Sequence, residues 1–209
     1  MTSERWTKID NTTNPFPSSL DSSDICYYAR EYWSGEGYSA SPTNNLVQNF
    51  KKPPSYRGSA AWSHRDNAVR MFATEVSSFL DQIKRDLINE VVITTAPCSK
   101  KPDHPEYNGR MDDLKSVLRR TNSEFIYIDL IAIKQSMEAQ HLSSSYRSIS
   151  EKINNFIPSS LSSNIKYVIL IDDVITTGTT FKACKDVIFE KNPSLTNVIG
   201  VFWARAIRR

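Results

Sequence analysis

Val168-Ile169-Leu170-Ile171-Asp172-Asp173-Val174-Ile175-Thr176-Thr177-Gly178-Thr179-Thr180 decides how this chain is read. Four consecutive apolar residues predict a strand buried on both faces, over Tyr167–Ile171. Two adjacent acids follow as the strand exits. In open α/β sheets, ligands bind at the carboxyl ends of strands. Two carboxylates placed there can accept hydrogen bonds from a vicinal diol such as the 2- and 3-hydroxyls of a ribose. Four threonines around one glycine come next, then a helical pattern over Thr180–Lys191. Backbone amides of such a turn, its hydroxyls and the helix dipole converge on one spot that suits a phosphate dianion. The order of acids, hydroxyl-rich loop and helix matches a ribose 5-phosphate laid along the strand end. The bland reading of the same residues is a buried strand, a turn with solvated acids and a capped helix.

Outward from this stretch, strands and helices alternate. Val69, Phe72, Val76, Phe79, Ile83 and Leu87 recur at helical spacing and predict a helix over 63–89, with Ser63 as N-cap and Asp66 completing a box-like start. Val91–Thr94 reads as a buried strand, followed by the polar loop Ala96-Pro97-Cys98-Ser99-Lys100-Lys101. A short helix is expected over 112–120, a strand over 124–130 and a polar connection over 131–142. A helix over 144–157 and a last strand over 198–203 complete the pattern. Strands separated by helices predict an α/β fold, a mostly parallel central sheet with helices on both faces. Residues 1–24, rich in Ser, Thr, Asn and Asp, read as a loose arm or surface wrap. Tyr27, Tyr28, Tyr32, Trp33 and Tyr38 form an aromatic cluster, read as packing rather than base stacking. Lys51-Lys52-Pro53-Pro54 reads as a connector. The chain therefore divides into an N-terminal arm over 1–54, a hood or partner-docking segment, and a domain over 55–209.

The 209 residues are 39% hydrophobic and 23% charged, with a net charge of +3. That composition describes a globular chain with a core, and its mild basicity makes no case for a nucleic-acid groove. No apolar run approaches the length of a bilayer span. The N-terminus MTSERWTKID lacks a leader's apolar stretch, and three separated cysteines, Cys26, Cys98 and Cys184, point to a reducing cytoplasmic location. No Walker loop, dinucleotide fingerprint or His-x-x-His pair occurs, and Cys98 has no evident base.

The stretch Ile171–Thr180 resembles the phosphoribosyl-pyrophosphate (PRPP) signature of type I phosphoribosyltransferases, and is similar in wording to the ComF-like branch. The resemblance implies that Asp172 and Asp173 hold the ribose hydroxyls and that Thr176, Thr177, Gly178, Thr179 and Thr180 hold the 5-phosphate. Weaker echoes run over residues 56–206. Tyr56-Arg57-Gly58 resembles the family's lead-in. Ser99 and Lys100 lie where the family binds pyrophosphate, and Arg110 falls at an arginine before a helix. Gln135 or Gln140 followed by Arg147 resembles the mobile loop and its helix, and Val201–Arg205 resembles the closing strand. Each residue also has an ordinary reading. Lys100 and Lys101 are then solvated, Arg110 pairs with Asp112 or Asp113, Arg147 is an exposed helix residue, and the polar stretch 132–145 is a surface connection rather than a lid.

The chain departs from the family in lacking a cysteine-rich zinc module and in placing Thr176 where purine-salvage members carry an aspartate. The latter argues against 6-oxopurine salvage. The implied activity is transfer of ribose 5-phosphate from PRPP, with Mg²⁺, to a nitrogen nucleophile with release of pyrophosphate. Lys100, Arg110 and Arg147 would steady the leaving group while Asp172 and Asp173 fix the ring. The alternative is a catalytically silent module that senses PRPP or a nucleotide, or binds a partner in a regulatory or defence complex. A protein partner on the arm and self-association are the partner expectations.

Overall fold

The computed structural model describes residues 6–83, 85–137 and 148–208. Eight strands and five helices follow in the order β1 (Thr7–Lys8), β2 (Ile25–Trp33), α1 (Pro42–Phe50), α2 (Trp62–Leu80), β3 (Val91–Thr95), α3 (Arg110–Thr121), β4 (Ile126–Tyr127), β5 (Ile131–Ile133), α4 (Ile149–Asn155), β6 (Phe156–Pro158), β7 (Tyr167–Ile175), α5 (Thr179–Lys191) and β8 (Asn197–Ile207). Six strands form one sheet in the order β1-β2-β8-β7-β3-β4; β5 and β6 make a separate antiparallel pair. Every pairing in the large sheet is parallel except β1 with β2.

Alternation along the strands sends successive side chains to opposite faces. Val91, Ile93, Ile169, Ile171, Val201 and Trp203 are buried on the face covered by α1, α2 and α3, where they meet Phe50, Phe72 and Leu114. Val92, Val168, Leu170, Val198 and Phe202 are buried on the other face, under Phe181 and Ile188 of α5. The fold is therefore α/β, with a mostly parallel central sheet covered on both sides. Trp203 stacks on Phe72 with ring centroids 4.7 Å apart, and its indole N–H donates to Glu75 at 2.9 Å, so its polar tip is satisfied inside the core.

Several expectations are corrected. The strand expected to end at Ile171 continues to Ile175, because β8 pairs with it as far as Ile175 opposite Arg205. The helix expected over 63–89 stops at Leu80, and a 3₁₀ turn covers Arg85–Glu90. Ser63 does not cap it: Ala61 holds that position, and the Ser63 hydroxyl donates back to the Ala60 carbonyl. The strand expected over 124–130 is reduced to Ile126–Tyr127, and the connection after it contains β5. Only Ile149–Asn155 of the helix expected over 144–157 is helical among the described residues. The aromatic stretch 25–33 is β2, hydrogen-bonded to β8 in the same sheet, so structure crosses the division drawn at residue 54. The arm is not loose either. Ile9 and Leu20 are buried, and Arg205 donates to the carbonyls of Asn14 and Pro15.

Candidate functional site at the carboxyl ends of β3 and β7

From β3 the chain moves outward to β4, and from β7 it moves the opposite way to β8. The strand order thus reverses between β3 and β7, which is where a parallel sheet opens a crevice at its carboxyl edge. β3 ends opposite Ile171, with the Ala96 amide donating to the Ile171 carbonyl at 2.8 Å. Asp172–Ile175 therefore project beyond β3 with only β8 beside them among the described residues. The two acids stand at the start of this projection, and the threonine loop stands at its end.

Because β7 continues, the acids do not emerge side by side; the pleat sends them to opposite faces. Asp173 shares the face of Ile169 and Ile171, and is buried. Its Oδ2 accepts from Arg110 Nε and Nη2, both at 2.9 Å, and its Oδ1 lies 3.0 Å from Lys51 Nζ. Asp172 shares the opposite face, where its charge is felt by Cys184 of α5, and its Oδ1 accepts from the Asp173 amide at 2.8 Å. Burial alone would raise both carboxyls. At Asp173 the charges of Lys51 and Arg110 outweigh it and hold the group below the ordinary carboxylate range. At Asp172 burial is reinforced by the neighbouring Asp173 charge, and the group titrates above that range. Asp173 is thus held as the anion of the pair, and Asp172 is the weaker acid.

A network brings both cations to Asp173. Gly109, in the left-handed region at φ 67°, opens α3, and Asn108 accepts from the Arg110 amide at 3.1 Å. The Asn108 side-chain amide also donates to the Lys52 carbonyl, next to Lys51. Buried Arg65 donates to the Asn108 carbonyl at 3.0 Å and to Asp113 at 2.6 Å. Neither acid offered to Arg110 by sequence proximity, Asp112 or Asp113, takes it; Asp173 does. Lys51 escaped the sequence reading because nothing local marks it. It caps α1 and meets Asp173 only through the fold.

The loop after β3 is tied to the segment behind β5. The Ser99 carbonyl accepts from the Met137 amide at 2.7 Å, and the Lys101 amide donates to the Ser136 hydroxyl at 2.9 Å. Lys100 pairs with the exposed Glu106 at 3.3 Å, a contact of the weak surface kind. Cys98 is half-buried, and burial raises its thiol above the ordinary value, so the structure gives it no thiolate character. Arg147, Gln140 and residues 138–145 of the candidate lid lie outside the described residues.

The threonine loop folds as a tight turn that opens α5. Gly178 sits at φ 83° and serves as the N-cap of α5, without a side-chain cap. The first helical bond runs from the Lys182 amide to the Gly178 carbonyl at 2.9 Å. Among the described residues, no acceptor faces the amides of Thr180 and Phe181. Thr176 is exposed, Thr177 and Thr180 are half-buried, and Gly178 and Thr179 are buried. Their cover is the N-terminal arm, on the side where a Gly178 Cβ would sit 2.7 Å from Leu20 Cδ2. Ser19 and Leu20 were not expected at the site. The one cue in the arm was a single leucine amid polar residues, just before Asp21 and Asp24.

Two cavities, of about 340 and 630 Å³, lie away from these residues, between α2 and α3 and beside 38–46. The candidate site is an open edge whose acid is already engaged by two cations. Among the described residues no group of three or more His, Cys, Asp or Glu could hold a metal ion. A magnesium ion suits this donor set only as a partner of ligand phosphates, with Asp172 as the nearby carboxylate, which agrees with its habit of keeping most of its shell outside the protein. Among the described residues, no helix is long and apolar enough to cross a membrane.

The fold is that of an α/β protein with a mostly parallel central sheet whose strand order reverses between β3 and β7. No family model and no curated protein matches the chain. Among solved structures, the crystal structure of a hypoxanthine phosphoribosyltransferase from Staphylococcus aureus is similar over 67% of this chain and 73% of that chain, at 14% identity and a TM-score of 0.38. The fold class is carried by this chain's own parallel sheet, covered on both faces.

Proposed function

We propose that the chain binds PRPP across the carboxyl edge of β3 and β7 and transfers its ribose 5-phosphate to a nitrogen nucleophile, releasing pyrophosphate. The observation that carries this reading is the left-handed Gly178 turn. It aims the amides of Thr180 and Phe181 beyond β7, one short step after two aspartates at the switch point. In this reading the 5-phosphate rests on the loop Thr176–Thr180, and Asp172 accepts from a ribose hydroxyl at the strand edge. Arg110 and Lys51, held at Asp173, add cationic charge beside the leaving diphosphate. Asp173 keeps those cations in place, and the Asp172 carboxylate is the acid left to face the ring as it gains positive charge. Magnesium, carried by the diphosphate, would supply further neutralisation of the leaving group. Ser99 and Lys100 lie on the loop that would face it, and Lys100 is free to leave its exposed Glu106 partner.

A second reading has one observation in its favour. Both oxygens of Asp173 are occupied by cations, as suits a module that binds a ribose phosphate without turning it over. Calorimetry with PRPP and Mg²⁺ separates binding from none, and pyrophosphate release with a panel of nitrogen nucleophiles separates transfer from sensing. Binding by the natural chain and its loss in the Asp172→Asn, Asp173→Asn double variant are expected. Undiminished binding by that variant sinks the site.

A further inference from the structure

The arm reaches the loop through three contacts. The Ser19 amide donates to the Thr177 carbonyl at 2.8 Å, the Ser19 and Thr179 hydroxyls lie 3.0 Å apart, and Leu20 packs on Gly178. Thr179 in turn lies 2.8 Å from the Thr177 hydroxyl, so the turn is closed on itself and pinned from outside. These contacts take a carbonyl, hydroxyls and a Cα surface. They leave the amides of Thr180 and Phe181 alone. The arm therefore holds the turn by the groups an anion does not need most.

Its anchorage shows whether it is a plug or a brace. Upstream, Arg205 grips the carbonyls of Asn14 and Pro15. Downstream, the fully buried Asp24 carboxylate pairs with Lys185 at 2.6 Å and Lys182 at 3.1 Å, and Lys182 also takes Asp21 at 2.5 Å. A segment tied at both ends, one of them through a desolvated ion pair, is costly to lift. A plug must leave for ligand to enter; a brace stays.

We infer that residues 14–24 are a permanent brace of the phosphate loop, with Ser19 and Leu20 as positioning residues that hold Gly178 in its left-handed turn and so aim the α5 amides at the anion. The inference rests on the ribose-phosphate reading of that loop. It assigns the arm a role within the site in place of docking a partner.

The test uses the full chain, natural and with Leu20→Ala, Ser19→Ala or Leu20→Met. Amide hydrogen exchange, read without any ligand, should quicken at least tenfold in Leu20→Ala at the two amides bonded to the turn's carbonyls, Ser19 to Thr177 and Lys182 to Gly178. Ile169 and Leu170 in the sheet should be unchanged. Ser19→Ala should act in the same direction, and Leu20→Met, which keeps the volume, should restore the natural rates. Calorimetry with ribose 5-phosphate should then show about tenfold weaker binding by Leu20→Ala. Unaltered loop exchange overturns the brace, and so does equal or tighter ribose 5-phosphate binding by Leu20→Ala, the result a plug would give. If the natural chain binds no ribose 5-phosphate, the function proposed above fails, and the exchange comparison still decides whether the arm orders the loop.

Discussion

Lys51, the residue that caps α1, lies 3.0 Å from Asp173, the second acid of β7, 122 positions along the chain. Arg110 occupies the other oxygen of the same carboxylate. Removing Lys51 leaves Asp173 with Arg110; removing Arg110, the more buried cation with two N–H donors on Oδ2, leaves it with a half-exposed lysine alone. Lys51→Met should therefore cost about 1–2 kcal/mol and Arg110→Met about 3 kcal/mol or more, the range for breaking a buried pair. Urea denaturation of the two variants checks the order. Equal losses would show that the two contacts are not energetically distinct.

The same pair sets an acid limit. Because the folded Asp173 carboxyl lies below its ordinary value near 3.9, the unfolded chain binds more protons around that pH. The stability this group contributes is complete above about pH 5 and drains away as pH falls through 4 towards the folded value. Asp173→Asn should flatten the acid side of a plot of urea midpoint against pH. It should also lower the whole curve, since Lys51 and Arg110 lose their counter-charge. A variant curve parallel to the natural one between pH 3 and 5 would assign the acid limit to other carboxylates.

What the sequence disclosed follows from range. Val168–Ile171 was legible as a buried strand, and Gly178 as a turn before a helix, because each is written in consecutive residues. β2 was not. Its stretch Ile25–Trp33 is mostly half-buried, and its pairing with β8 lies some 170 positions away, so aromatic bulk disguised a strand. The end of β7 was misplaced because acids normally leave a buried strand, whereas here β8 supplies ladder bonds past them. Lys51, Ser19 and Leu20 reach the site only through tertiary contact, and no local pattern could have placed them there.

The arm's two aspartates look alike in sequence and differ in burial. Asp24 is enclosed and pairs with two lysines, one of them largely buried; Asp21 is exposed and shares one lysine. Asp24→Ala should cost about 3 kcal/mol by stranding Lys185, while Asp21→Ala should leave the denaturation midpoint nearly unchanged. Comparable losses from the two would mean that the arm is held by its polar turn and not by the buried pair.

Gly178 carries two separate constraints. Any Cβ meets Leu20 Cδ2 at 2.7 Å, and φ 83° is unfavourable for an L side chain by about 1–2 kcal/mol. Gly178→Ala should therefore destabilise by more than the backbone term alone. In a Leu20→Ala background the steric part should vanish and the backbone part remain. A double-mutant cycle should return a coupling on the order of 1 kcal/mol between the two positions. Strict additivity would mean that the loop shifts away from Leu20 and the contact is soft.

Asp172 offers the opposite bargain to Asp173. Its carboxyl is half-buried beside a fixed anion, and it titrates above the ordinary range. A group raised in this way favours folding only while protonated, and that advantage is lost as pH rises through the folded value. At neutral pH the ionised side chain is thus a strain on the fold. Asp172→Asn removes the charge and keeps the oxygen that accepts the Asp173 amide. The variant should match the natural chain near pH 4 and exceed it by on the order of 1–2 kcal/mol at pH 8. If a ribose hydroxyl donates to this carboxylate, the same change should weaken PRPP binding at least tenfold, since a neutral amide is the poorer acceptor. Stability and affinity moving in opposite directions would mark a residue kept for ligand at the expense of the fold. A variant that loses stability at pH 8 would show instead that Asp172 serves the sheet.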